Sequence, residues 1–575
     1  MRLYTMECKE KLLRPQFNNQ GAMSPQTANT ETTTENEMKM LNDMFSNDNN
    51  NHTEENTCTA NDLKTSFIKL PTKYRSTNRL ELDTITNLID NGLDPNLPLP
   101  DGQTPITFII NKATSHRWVD MVKLLLEKGA SPHVKDALGR PLLSLLAPSG
   151  NLALISLAIQ SGADINVPGP GGETPLLTSV HYRKIESIRY FLSAGSDPNV
   201  CSDDGNSALM WALISQNGLG KQRVITCVKI LLEHGAAANF QNSKGDTPLM
   251  AATLIGETEV ISLLVAYGAD TNVRNIDGES ALQVSVRFEQ EGVVRKLLKC
   301  GANPDIMDNT GCLPLMEATS DSIIYLLLMN NANPNIVDID GNSSLHFHAR
   351  TGSPELCLAL LEYGAAAEPL NKNGDTPFQL AVRSRSQQTI NVLLDRGCNA
   401  ASINFIGVSI VQDAIIPYGF YNTHNIFSKI TSERMITELL GFIREEGATV
   451  PKEVSMLVQQ LLEQGAEADH FGEAGVTPLM LAAAIGDYAL TDILVSAGAP
   501  VNAVDDWGRS ALAYACKLGH FKVVDFLLYH GSFVNTMDNS GNLPIFYAAQ
   551  YSHDDIVQML IVELAFFYVS YHCNG

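Results

Sequence analysis

The chain has little of what most enzymes and membrane proteins display. No run of eighteen or more apolar residues occurs in its 575 positions, so no transmembrane helix is expected. The opening "MRLYTMECKEKLLRPQ" has neither an apolar core nor a small-residue cleavage site, and it does not read as a secretion signal. Ten cysteines are scattered without a single C-x-x-C pair, which excludes the usual zinc clusters and points to free thiols in a reducing compartment, cytosol or nucleus. Cations are scarce: the net charge is −23, and all but about one unit of it falls after residue 78. Nucleic-acid affinity rests on neutralising phosphates, so a chain this acidic argues against DNA or RNA as its main ligand.

Neither "PGPGGET" (Pro168 to Thr174) nor "GLGK" (Gly218 to Lys221) completes a phosphate-binding G-x-x-x-x-G-K-[ST]. His346 and His348 are two apart and point away from one another on a helix, so packing outweighs metal ligation. Asp203/Asp204 and Asp505/Asp506 are read as solvated turn tips, with no pocket to make an acid–base pair of them. No catalytic residue, metal site or cofactor is called for.

What is present is a period. "GDTPLMAATLIGETEVISLLVAYGADTNVRNID" runs from Gly245 to Asp277, and Gly278 then begins the pattern again after 33 residues. Thirteen such turn glycines run from Gly102 to Gly541, each preceded by a second glycine ten residues earlier, with Asn331 standing in once. Asn is the expected substitute where φ must be positive. Gly268 is predicted to end one helix, "NVRNID" to extend outward, and Gly278 to turn the chain back. Ser280 or Thr247 then caps the next helix, with Pro248 at its first position. Val260, Leu263 and Leu264 form the expected apolar stripe of the second helix. One such unit cannot bury both of its faces, so the units must stack.

These residues resemble the ankyrin repeat family, whose signature is G-x-T-P-L-H-x-A-A with a closing L-L-x-x-G-A-[DN]-x-N. "GETPLLTSV", "GDTPLMAAT" and "GVTPLMLAA" carry the resemblance, which spans roughly residues 79–561. It implies an all-α solenoid of helix-turn-helix units with β-turn fingers, preceded by a disordered segment over residues 1–78. In that segment "MKMLNDMF" (Met38 to Phe45) is a candidate docking motif. The family's His occurs once, at His346. Met210, Met250, Met316 and Met480 are among its replacements, and these are expected to remove a polar contact near each helix start.

Residues 79–407 read as a first stack. Residues 408–465 read as an insertion with an irregular repeat and a half-repeat, because 68 residues separate Gly407 from Gly475. "MITELLGFIREEGA" and "VSMLVQQLLEQGA" both read there as second helices, and "IIPYGFYNTHNIFSKI" as a loop. Residues 466–561 read as a second stack, uncoupled from the first. The apolar tail 562–575, where a closing glycine is expected at Leu564, reads as an atypical end and a truncated form of a longer product.

The resemblance implies a non-enzymatic scaffold or adaptor that binds other proteins through a concave groove of finger tips and first helices. The alternative is the recognition part of a longer effector: a ubiquitin-ligase receptor, a channel or a zinc-finger regulator. Trp507 and Asp506 at a finger tip, Arg509 beside them, and Tyr514 and Lys517 on the following helix form the candidate binding strip. The matching slots Leu481 and Ile485 on one side, and Tyr547 and Tyr551 on the other, complete it.

Overall fold

The computed structural model describes residues 86–90, 92–99, 102–112, 118–214, 221–405, 407–416 and 452–573. Met38–Phe45, the helix read in "MITELLGFIREEGA" and most of the loop before it lie outside these residues. The described chain forms two compact units, one up to Ile276 and one from Asp277 onward. Each consists of consecutive antiparallel helix pairs. The first unit runs from the pair Pro105–Lys112 and Trp118–Glu127 to the pair Pro248–Ile255 and Thr258–Ala266. The second runs from Ala281–Arg287 and Glu291–Lys299 to Pro544–Gln550 and Asp554–Cys573. Among the described residues no named strand occurs, and the finger arms meet only as isolated antiparallel bridges such as Val504 with Ser510.

Local chemistry sets each turn. Gly268 and Asn331 have φ of 87° and 65°, in the left-handed region that the closing position demands. The Thr247 and Ser280 hydroxyls accept from the N–H groups of Met250 and Gln283, satisfying helix-start donors that would otherwise be orphaned. In Thr258–Ala266 the buried stripe is Val260, Ile261 and Leu264, all fully covered. Leu263, expected in that stripe, is only half-buried, since the contact face centres one residue earlier. Burying each such side chain is worth about 1.5–3 kcal/mol.

Length changes fall mostly between the two helices of a pair. The extra residues after Gly102 and after Gly205 lie between Lys112 and Trp118 and between Ile214 and Lys221. The shortened interval after Gly311 instead trims a first helix to four residues, Pro314–Glu317. Ile410–Ile415 packs against Lys452–Glu463 as the first and second helices of one pair. The two then pack against Pro478–Ile485 and Tyr488–Ser496 of the next pair.

Three hydrogen-bond systems tie neighbouring pairs within each unit. Finger meets finger through the main chain: the N–H of Asp506 donates to the Ala474 carbonyl, and that of Asn539 to the Trp507 carbonyl. The Asn of the closing signature is a staple. Asn502 donates from Nδ2 to the carbonyl of Gly531, and its Oδ1 accepts from the N–H of Phe533. Asn96, Asn199, Asn239 and Asn335 make the same two bonds to their own neighbours.

The third system corrects the expected loss of polar contact at helix starts. His346 accepts from the Ser343 N–H at Nδ1 and reaches the Asp375 carbonyl from Nε2, at 3.0 Å each. Gln379 and Gln412 occupy the same slot and reproduce both bonds. Each accepts at Oε1 from its cap N–H and donates from Nε2, to the carbonyls of Val408 and Val476. Gln283 makes the forward bond, to the Cys312 carbonyl at 2.8 Å. A primary amide places a donor and an acceptor at the same reach as an imidazole, so the contact survives the substitution. Met480 keeps only a weak counterpart of the first bond, from the Thr477 N–H to its sulfur at 3.5 Å, and has no donor for the second.

Candidate protein-binding face

Fingers and first helices share a face in each unit, and its chemistry depends on position. Consider the residues one, six and nine places after each turn glycine, which form rows on that face. In the second unit Arg383 lies between Asp375 and Asp413. It gives Nη1 and Nη2 to Asp375 (2.9 and 2.7 Å), and Nε and Nη2 to Asp413 (2.8 and 3.1 Å). All three side chains are at most 9% exposed. Burial pushes the Asp375 carboxyl up, but hydrogen bonds and charge from Arg383, with amides of Asn404 and Asn371, outweigh that and hold it below the usual range. Arg287 repeats the arrangement between Glu279 and Glu317. Burial disfavours its charge, yet the two carboxylates more than compensate and raise its pKa. The spacing is the same in both cases, and the sequence reading missed it because the second acid lies about thirty residues ahead.

In the last pairs the same rows carry a different set. Asp505, expected as a solvated tip, is 4% exposed. Its Oδ1 accepts from the N–H groups of Trp507 (3.0 Å) and Arg509 (2.8 Å). Its Oδ2 accepts from Arg509 Nε (3.1 Å) and the Tyr514 hydroxyl (2.6 Å). The carboxylate is the hub that shapes the finger. Tyr514, placed by the sequence reading in an open slot, is 2% exposed and therefore structural; burial and then Asp505 push its phenol up. Leu481 is also buried, at 7%. A phenol long enough to reach back nine residues to the Asp turns inward, a signal that was available in the Asp–Tyr spacing.

Tyr547 repeats the motif one pair later: its hydroxyl donates to Asp538, and burial with that carboxylate pushes its pKa up to about 12. Its ring is half-buried. Arg509 lies over the Trp507 ring at 4.4 Å and the Tyr514 ring at 5.0 Å, and Lys517 Nζ is 5.9 Å from the Tyr547 centroid. Of the candidate residues, Asp506 and Tyr551 are exposed, while Trp507, Arg509, Lys517, Tyr547 and Ile485 are half-buried. Cation–π contacts of this kind contribute about 0.5–2 kcal/mol each.

His346 and His348 each commit Nε2 to a main-chain carbonyl, Asp375 and Leu315 respectively, on opposite neighbouring pairs. That explains their two-residue spacing. Burial pushes the thiols of Cys312, Cys357, Cys398 and Cys516 up to about 12, and that of Cys227 to about 11, far from nucleophilic at neutral pH. No described helix is long and apolar enough to cross a membrane.

Stacked helix pairs joined by hydrogen-bonded fingers, with side chains spaced along one face, define a repeat protein of the helix-turn-helix, β-finger class. The chain belongs to the ankyrin repeat family: the model described as "Ankyrin repeats (3 copies)" matches residues 143–236, 220–308, 315–404, 451–538 and 479–568. The single-repeat model matches residues 101–137. Among curated proteins it is 31% identical to human SH3 and multiple ankyrin repeat domains protein 2, over 31% of this chain and 11% of that protein. It is 30% identical to neurogenic locus notch homolog protein 1 of Danio rerio, over 29% of this chain and 6% of that protein. A further relative is the E3 ubiquitin-protein ligase KEG of Arabidopsis thaliana, at 26% identity over 32% of this chain and 11% of that protein. The chain thus spans about a tenth or less of these relatives. The solved ankyrin repeat domain of Bcl-3 is 28% identical, covering 39% of this chain and 99% of its own, with a TM-score of 0.35. Ankyrin repeats in general mediate protein–protein interaction.

Proposed function

We propose that this chain is a non-enzymatic scaffold or adaptor, resident in cytosol or nucleus, that binds a partner protein through the finger and first-helix face of its last pairs. The strip is Trp507, Arg509, Lys517, Tyr547 and Tyr551. The observation that supports it is the half-open cation–aromatic surface of these residues over carboxylates already saturated by the fold. Aromatic and Arg side chains held rigidly at low entropic loss are the usual composition of a binding hot spot. Free cysteines throughout the described residues support the reducing compartment.

The test places a photo-crosslinking amino acid at Tyr551 and maps the captured partner's contact by mass spectrometry, with and without Trp507→Ala. Loss of the crosslink in Trp507→Ala, with a thermal melt shifted by less than about 2 °C, supports the reading. A crosslink indifferent to Trp507 moves the face elsewhere. A second reading makes this array the recognition part of a larger effector. It is supported by relatives such as the E3 ligase, of which the matched repeats are a minor share.

A further inference from the structure

The row nine residues after the turn glycine carries four cations in the second unit: Arg287, Arg350, Arg383 and Lys517. Arg287 and Arg383 are each held by two carboxylates. Among the described residues the Lys517 ammonium makes no hydrogen bond or ion pair; it rests over Tyr547, and only the Lys517 carbonyl is bonded, to His553 Nε2. Arg509 beside it spends Nε on Asp505, while its Nη2 is buried with no acceptor. The two cations are close enough that Arg509, after burial itself, adds to the lowering of the Lys517 pKa. The carboxylates beneath them are fully used: Asp505 by four donors, and Asp538 by Ser540, Asn542 and Tyr547. Asp506, at the finger tip, is exposed, and among the described residues the ion pair of Arg509 goes to Asp505 instead. The fold therefore holds two cations of one repeat against aromatic rings, Arg509 on Trp507 and Tyr514 and Lys517 on Tyr547, with the Lys517 ammonium lacking an acceptor among the described residues. A third carboxylate, brought from outside, gives the Lys517 ammonium the acceptor it lacks and offsets the repulsion from Arg509, whose buried Nη2 stays out of its reach.

Building on the proposed binding face, we propose that its partner is an acidic peptide segment whose Glu or Asp carboxylate is received between Lys517 and Arg509, with a flanking apolar side chain against Trp507 and Tyr551.

The experiment is fluorescence anisotropy of the full chain with a fluorescein-labelled twelve-residue peptide in which Glu alternates with Leu and Phe, against its Gln, Lys and phosphoserine counterparts. The Glu peptide is expected to bind at least about tenfold more tightly than the Gln and Lys peptides. Lys517→Glu and Lys517→Gln should weaken it about tenfold, and Lys517→Arg should retain it. Lys299→Glu, the same charge change on an exposed second-helix site, should leave it unaltered. Equal binding of Glu and Gln peptides overturns the inference, as does an equal effect of Lys517→Glu and Lys299→Glu. Preference for the Lys peptide, or binding of the phosphoserine peptide alone, overturns it as well. The two readings fail separately. If the Tyr551 crosslink persists in Lys517→Glu but not in Trp507→Ala, the face stands and the acidic partner falls. If no Tyr551 crosslink depends on Trp507, the face itself falls.

Discussion

Replacing Gln412 by Met tests whether the amide slot is a true substitute for the family's His, at the join that spans the long interval after Gly407. Gln412 is 3% exposed. Its Oε1 accepts from the Ser409 N–H at 2.8 Å, and its Nε2 donates to the Val476 carbonyl at 2.7 Å. Met fits the slot without strain, because Met480 already occupies it one pair later, where the Thr477 N–H reaches only its sulfur, at 3.5 Å. The Val476 carbonyl keeps a second bond, from the Gly472 N–H at 2.9 Å, so its loss is one ordinary hydrogen bond, about 1 kcal/mol net. The Ser409 N–H, in a residue 5% exposed, is left with no comparable acceptor, which costs about 1–3 kcal/mol more. The expected destabilisation is therefore about 2–4 kcal/mol. About 1 kcal/mol of it falls in the nearest-neighbour term between Ile410–Ile415 and Pro478–Ile485, and the rest at the start of Ile410–Ile415 itself. Urea denaturation should show the lower midpoint. Hydrogen exchange should show faster opening of residues 452–563 while 281–405 keep their protection. The reciprocal change Met480→Gln, which puts an amide between the Thr477 N–H and the Arg509 carbonyl, should stabilise by about 1 kcal/mol. A Gln412→Met protein within about 0.5 kcal/mol of the parent, with uniform exchange, would refute the assignment of this bond as inter-repeat glue.

The remaining expectations concern charge and continuity. Burial holds His346, His348 and His520 below the ordinary 6.5, offset in part by their carbonyl partners. The unfolded chain thus binds more protons below pH 6.5, so stability is fully present above that pH and declines as pH falls through it. The slope is at most about 1.4 kcal/mol per pH unit for each histidine, and identical urea midpoints at about pH 7.5 and 5.5 would contradict this. Arg383→Met leaves Asp375 and Asp413 buried without their cation and should destabilise by about 3–5 kcal/mol, partly recovered by adding Asp413→Asn. The more exposed Arg287→Met should lose clearly less, and the reverse ranking in denaturation midpoints would be decisive against it. Finally, a site-specific protease sequence engineered into residues 417–451 should, once cut, give two chains that co-elute on gel filtration, because the flanking helices pack on each other and on the next pair. Separate elution would show that the join depends on the covalent connection.

How much of this was legible in the sequence follows from the range of each interaction. The turn glycines, Asn331 at the left-handed position and the Thr247 cap are local, decided within five residues, and the sequence displays them directly. The amide at Gln412 could not be valued the same way. Its partner Val476 lies 64 residues ahead, and only an exact register between repeats says that the two meet. The buried ion triads were hidden for the same reason, with Arg383 and Asp413 thirty residues apart. Tyr514 shows a different failure. Slot position alone placed it in the open, but the phenol follows its acceptor, and Asp505 nine residues back turns it inward. Trp211 occupies the equivalent slot and makes the weaker counterpart, Nε1 to the Ser202 hydroxyl at 3.4 Å.

Charge on this protein therefore has to be read at two distances. Far from the surface the net −23 dominates, and it repels an acidic peptide before contact. Within contact range the balance is local. At physiological salt the screening length is about 8 Å, so carboxylates on distant fingers lose most of their influence on a group seated between Lys517 and Arg509. The lone pairs of Asp505 and Asp538 are already occupied by donors the fold supplies. Salt then acts in opposite directions on the two steps of binding: it lowers the long-range barrier to encounter while weakening the short-range pairing. The same reasoning separates Arg383 from Lys517. Both stand nine residues after a turn glycine, yet one is closed off by two acids and serves the core, while the other is covered only by a ring. A ring stabilises a cation without neutralising it, and that difference is what leaves Lys517 able to attract a partner.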